Sequence, residues 1–194
     1  MTLINAIITS IRPKTLVVSV AVILLGQTLA WRDLELGSYV TELNMTLAFF
    51  CLLCCCFLQI SVNLANDYFD NKAGIDGPDR LGPIRASQAG LLSRQHLLVT
   101  LFSSSFIAVI TGVYLIVQGG WLFFFLGLLS LAGVYSYSGG KRPLASNALG
   151  EISVFLFFGW LAVIASYYLQ TTHFQLALLF PASEIGLLVA AIML

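Results

Sequence analysis

The segment Asn66-Asp67-Tyr-Phe-Asp70-Asn-Lys-Ala-Gly-Ile-Asp76, followed by Asp79, places four carboxylates within thirteen residues. Gln59, Asn63, Asn66, Asp67 and Asp70 recur at i, i+4, i+7, i+8 and i+11, the spacing of one polar stripe on an α-helix. Asp67 and Asp70, one turn apart, can point at one hard cation. Carboxylate oxygens completed by water and substrate phosphate are the usual surroundings of Mg²⁺. Asp67, Asp70 and Asp76 are therefore the candidate metal ligands, and Asn66, Asp67 and Asp70 the candidate catalytic residues. A solvated loop would explain each aspartate taken singly. It does not explain why Gln59 and Asn63, inside an apolar run, share their face.

Basic groups interleave with these acids: Lys72, Arg80, Arg85 and Arg94. Gly82-Pro83 marks a turn that would aim Arg80 and Arg85. Carboxylates with arginine forks suit a metal–diphosphate, because the metal bridges acid to phosphate while guanidinium grips oxygens bidentately. Arg94 needs no role beyond anchoring. A second polar segment runs Tyr135-Ser-Tyr-Ser-Gly-Gly-Lys141-Arg142. Lys141 and Arg142 follow a Gly-Gly turn suited to close approach to an anion. Tyr135 and Tyr137 can stack on an aromatic ring or face a carbocation. The candidate substrate-binding residues are thus Arg80, Arg85, Lys141, Arg142 and Tyr135. Glu151 opens a helix, where a carboxylate favours the positive dipole end.

The elements that must position these groups are membrane helices. Of 194 residues, 59% are hydrophobic and only 9% charged, against roughly 25% charged in soluble domains. Nine basic residues balance nine acidic ones, which argues against a nucleic-acid surface. Long continuous apolar runs exclude the short alternating segments of a membrane barrel. The expected fold is all-α, a polytopic helical bundle in the lipid bilayer, one domain over residues 1–194. Six spans are expected: Thr15–Trp31, Met45–Ala65, Leu97–Val117, Trp121–Tyr137, Ile152–Leu169 and about Gln175–Leu194. With the N-terminus cytoplasmic, eight Lys/Arg fall inside and only Arg32 outside, as the positive-inside rule requires. Cys51, Cys54, Cys55 and Cys56 lie in the second span without His or carboxylate partners at ligand spacing, so they are expected to act as small hydrophobes.

The Asn66–Asp76 segment resembles the first aspartate-rich motif of the UbiA superfamily of intramembrane prenyltransferases. The six-residue step from Asp70 to Asp76, then Asp79-Arg80, Gly82-Pro-Ile-Arg85 and Gln88-Ala-Gly90, resembles the branch that prenylates 1,4-dihydroxy-2-naphthoate. So does Gly150-Glu-Ile-Ser-Val-Phe-Leu-Phe-Phe-Gly159. The likeness runs in order along the whole chain. It implies nine helices around a cavity open to lipid, Mg²⁺ held by two aspartate-rich motifs, and the second motif after the sixth helix. This chain ends inside that helix, in Val189-Ala-Ala-Ile-Met-Leu194. It is therefore expected to be an N-terminal fragment, inactive alone. Glu184 departs from the apolar residue expected there.

The resemblance further implies that Asn66, Asp67, Asp70 and Asp76 hold Mg²⁺ on a polyprenyl diphosphate, with Lys141 and Arg80 or Arg85 neutralising the leaving group. The dihydroxynaphthoate ring would attack the allylic cation and lose CO₂, giving demethylmenaquinone in the bacterial inner membrane. Three further functions fit less well. A 4-hydroxybenzoate prenyltransferase is disfavoured by the long Asp70–Asp76 step. A cation transporter would usually place its charge at the bilayer midplane. A CDP-alcohol phosphotransferase would need a D-G-x-x-A-R pattern, which the chain lacks.

Overall fold

The computed structural model describes residues 2–37, 42–74, 91–146 and 149–193. Seven helices follow one another among these residues: α1 (Leu3–Ile11), α2 (Pro13–Glu35), α3 (Met45–Ala73), α4 (Arg94–Gly119), α5 (Trp121–Ser136), α6 (Gly150–Thr171) and α7 (Leu179–Met193). No strand occurs among them.

Local sequence sets the ends. The side chains of Thr2, Asn44 and Ser93 accept the backbone N–H groups of Asn5, Leu47 and His96, satisfying donors that helix starts leave open. Arg12 stands between α1 and α2 with φ 54°. Pro13 then opens α2, where its missing N–H is no loss. Gly120, at φ 74°, turns the chain directly from α4 into α5.

Among the described residues, four helices are long and apolar enough to cross a membrane: α2 with 23 residues, α3 with 28 from Met45 to Lys72, α4 with 26 and α6 with 22. The chain is an integral membrane protein. The fourth and sixth expected spans form shorter apolar helices, of 16 and 15 residues. The first of these starts at Trp121 as expected and ends one residue early, at Ser136. Extended backbone at Gln175 and a 3₁₀ turn at Leu176–Leu178 delay the second. The sequence-based spans also omit α1. Its nine residues are too few to cross a bilayer, but it buries Ala6 and Ser10 while exposing Leu3, Ile4 and Ile8. That one-sided apolar surface suits a helix lying along the membrane face.

Close packing relies on small residues, as expected where lipid gives helices no hydrophobic reason to associate. A Cβ on Gly26 of α2 would fall 2.0 Å from Ser166 Oγ and 2.5 Å from the Val163 carbonyl oxygen of α6. One on Gly159 would fall 2.9 Å from Gly186 Cα of α7. Gly159 lies in a π-helical stretch of α6, Phe155–Leu161. Along α4, Val99, Phe102, Phe106, Val113 and Val117 are exposed on a common face, the surface a lipid-bathed helix presents. At the end of the bundle remote from Asp67, the Gln170 amide donates to Gln27 Oε1 (2.7 Å) and to the Asn44 carbonyl (3.0 Å). The Tyr167 hydroxyl donates to Asp33 there (2.8 Å), so the buried polar groups of this end are paired.

Candidate active site

α3 continues eight residues past the expected end of its span, to Ala73, so Asn66, Asp67 and Asp70 are helical. The polar stripe faces the junction of α1 and α2. Gln59 Nε2 donates to Asn63 Oδ1 at 3.2 Å. Asn63 Nδ2 donates to the Ile11 carbonyl (2.7 Å) and to Thr15 Oγ1 (2.8 Å). One turn on, the Arg12 guanidinium donates to Asp67 Oδ1 at 2.7 Å. Asp67 is only 1% exposed. A carboxylate that deep in a membrane helix is tolerable only when paired or facing a polar interior, and Arg12 supplies the pair.

Ser138 donates its hydroxyl proton to Asn66 Oδ1, tying the end of α5 to the start of the aspartate motif. The following turn approaches α3 closely: a Cβ on Gly139 would lie 2.9 Å from the Phe69 ring. Lys141 and Arg142, exposed in this turn, therefore belong to the same end of the bundle as Asp67 and Asp70. Arg94 lies there too, its Nε donating to Asn71 Oδ1 at 3.0 Å, consistent with an anchor at the start of α4.

Below this polar end lies a cavity of about 1030 Å³. Arg12, Lys14, Thr15, Asn63, Asn66 and Tyr137 line its polar end, and its walls are almost wholly apolar. Cys51, Cys54 and Cys55 face it from α3. All four thiols are free, and Cys54 Sγ approaches the Ala108 carbonyl at 3.5 Å. The two tyrosines of the second polar segment divide. Tyr137 lines the cavity, while the Tyr135 hydroxyl meets Ser105 at 3.2 Å between α4 and α5.

Asp76, Asp79, Arg80 and Arg85 lie outside the described residues. Among the described residues, no three His, Cys, Asp or Glu side chains converge as a metal cluster. The donors present are nevertheless of the right chemistry for Mg²⁺. Asn66, Asp67 and Asp70 offer only hard oxygen ligands, which suit that ion better than soft or imidazole-preferring metals.

Arg12 and Lys14 read in the sequence only as inside-positive charges. The structure brings both to the cavity mouth. The available hint was the Arg-Pro-Lys-Thr run, where a proline next to a cation marks a helix start at a fixed place.

Residues 20–194 match the family model described as the UbiA prenyltransferase family. The chain belongs to that family. Among its relatives, the 1,4-dihydroxy-2-naphthoate octaprenyltransferase of Escherichia coli (strain K12) is 37% identical over 190 residues, covering 95% of this chain and 59% of that protein. The Haemophilus influenzae protein of the same name is 34% identical over 188 residues, 94% of this chain and 59% of its own length. A 2-carboxy-1,4-naphthoquinone phytyltransferase from Synechocystis is 33% identical over 138 residues, 68% of this chain and 42% of that protein. The chain thus spans about 59% of the length of the first two relatives. No solved structure gives a significant match.

Proposed function

We propose that this chain carries the diphosphate end and tail cavity of a prenyltransferase that joins a polyprenyl group to 1,4-dihydroxy-2-naphthoate with loss of CO₂, giving demethylmenaquinone. The observation that carries this is one arrangement: Asn66 and the cations Arg12 and Lys14 line the polar end of a large apolar cavity, beside the acidic end of α3. A polyprenyl diphosphate has that polarity, about three negative charges on an apolar tail.

Bound Mg²⁺, held by Asn66, Asp67 and Asp70 together with Asp76, would supply Lewis acidity and a template for the diphosphate. Lys141 and Arg142, with Arg80 and Arg85, offset the negative charge that grows on the leaving oxygen. The apolar walls keep water from the allylic cation as its C–O bond breaks. Tyr137 at the cavity mouth presents a ring face that favours positive charge. The electron-rich naphthoate ring forms the new C–C bond, and departure of CO₂ restores its aromaticity. The relatives' names favour the naphthoate over 4-hydroxybenzoate as acceptor. We place the aspartate end on the cytoplasmic side of the bacterial inner membrane, where Lys and Arg outnumber the far side eight to one.

The test is to supply membranes containing the protein with Mg²⁺, a polyprenyl diphosphate and either aromatic acid. Prenylated, decarboxylated naphthoate is the expected product. Product from 4-hydroxybenzoate alone would move the protein to another branch, and no product from either would overturn the assignment.

A further inference from the structure

The cavity has a defined depth. Asn66 and Cys51 both line it, and the fifteen-residue step between them on α3 spans about 22 Å at 1.5 Å per residue. Phe123, the third residue of α5, lines its far end beside Val117 and Phe124, whose side chains are exposed and leave the cavity open sideways. Phe123 is 7% exposed and belongs to the buried cluster that contains Leu47, Cys51 and Leu115. Its ring is held from two sides. It lies against Gly119, where a Cβ would fall 2.1 Å from the ring. It also stacks on Tyr168 of α6, centroids 6.1 Å apart and planes at 29°.

Above this floor the walls are kept bare. Gly112 of α4 and Gly127 of α5 both line the cavity. A Cβ at Gly112 would meet only Cys54 Sγ, at 3.8 Å, and one at Gly127 would meet nothing within 4 Å. Packing does not demand glycine at either site, in contrast to Gly26 and Gly159. What the two glycines preserve is the width of the shaft.

Resting on the functional proposal above, we propose that Phe123, braced by Tyr168, is the residue that limits how much of the isoprenoid tail the cavity takes, with Gly112 and Gly127 keeping the shaft open to it. An isoprene unit contributes four backbone bonds. At about 1.2 Å of reach per bond in an extended chain, one unit covers about 5 Å. A 22 Å shaft therefore holds four to five units, and the remaining units of a longer tail turn aside at Phe123. Phe123 acts on donor specificity and is not a catalytic residue, since it lies at the opposite end from the diphosphate.

The three cavity thiols serve as depth marks. Cys55 is eleven residues from Asn66, about 16 Å, and Cys51 about 22 Å. Cys56 is half-buried and off the cavity lining, which makes it an internal reference. The experiment alkylates full-length protein in membranes with N-ethylmaleimide, in the presence of prenyl diphosphates of two to eight units without acceptor. Mass spectrometry then gives modification at each cysteine. Cys55 should be protected by tails of three units and more, Cys51 only by tails of four or five and more, with no further gain beyond. Gly112→Leu should abolish Cys51 protection at every length and remove any affinity gain beyond about three units. Phe123→Leu should shift the plateau in apparent affinity by about one unit toward longer tails. Protection of Cys51 by a two-unit tail, or an unchanged length profile in Gly112→Leu, would overturn the inference. Turnover of the naphthoate without graded protection would sink the ruler while leaving the function standing. Graded protection without turnover would do the reverse.

Discussion

Arg12 and Asp67 form an ion pair at 2.7 Å across fifty-five residues of sequence. It joins the corner between the surface helix α1 and the first spanning helix to the aspartate motif of α3. The corner exists because Arg12 adopts φ 54° and Pro13 restarts the helix. Asn63 reinforces it by donating to Ile11 and Thr15. The motif is thus held in place from the N-terminal side.

Removing one partner of a buried pair leaves an uncompensated charge. Arg12→Ala should destabilise the protein by on the order of 3 kcal/mol, the low end for such pairs because the Arg12 side chain keeps 30% exposure. Arg12→Lys should recover part of the loss, since it restores the charge without the fork. Thermal unfolding in detergent, followed by tryptophan fluorescence, measures both. Equal melting temperatures for wild type and Arg12→Ala would show the pair to be energetically neutral.

Asp67→Asn and Asp70→Asn in the full-length protein should abolish prenyl transfer while leaving membrane insertion intact. A carboxamide fits the same space but lacks the charge that holds a divalent cation. Either variant keeping more than about a tenth of the wild-type rate, a loss of only about 1.4 kcal/mol of transition-state stabilisation, would remove that residue from the metal site. The two should also differ in stability. Asp67→Asn leaves the Arg12 guanidinium without its carboxylate at a buried site, whereas Asp70 is only partly buried, so Asp67→Asn should lower stability more.

Lys141→Ala should raise KM for the prenyl diphosphate several-fold and leave KM for the aromatic acceptor nearly unchanged. Lys141 is exposed in the turn that Gly139 packs onto Phe69, close to the acidic helix end and outside the apolar shaft. Steady-state kinetics with each substrate varied in turn decides the matter. Unchanged donor kinetics would leave Lys141 as a membrane anchor.

Legibility in the sequence followed how local each feature is. The polar stripe of α3 was visible because i, i+4, i+7 spacing is a property of one helix, and the apolar runs gave the bundle because lipid demands them. Arg12 was not visible as the partner of Asp67, since that pairing depends on a left-handed residue at the corner between α1 and α2. Tyr135 and Tyr137 could not be told apart. α5 is apolar on every side, so no periodicity states which face meets the cavity. The late start of α7 follows from extended backbone at Gln175 and the turn after it, whose conformations leave only a weak trace in residue type. Phe123 was one of a run of three phenylalanines, and only the position of Gly119 and Tyr168 around it distinguishes it.

The orientation of the bundle rests on charges at its ends and can be tested at two exposed positions. Ala145 lies in the turn after α5, with its N–H on the Tyr137 carbonyl, at the aspartate end. Leu36 caps α2 at the other end and is 73% exposed. The four native thiols lie within α3, inside the apolar stretch of a spanning helix, out of reach of a charged reagent. In intact cells, a membrane-impermeant thiol reagent should label Leu36→Cys and spare Ala145→Cys, and inverted vesicles should give the opposite pattern. The driving force is the eight-to-one excess of Lys and Arg at the aspartate end, worth about 1 kcal/mol per basic residue at an anionic leaflet. Neither substitution alters that charge count, so labelling reports the native topology. Labelling of Ala145→Cys from outside would invert the bundle. It would also put the diphosphate site on the side of the membrane opposite to that proposed above.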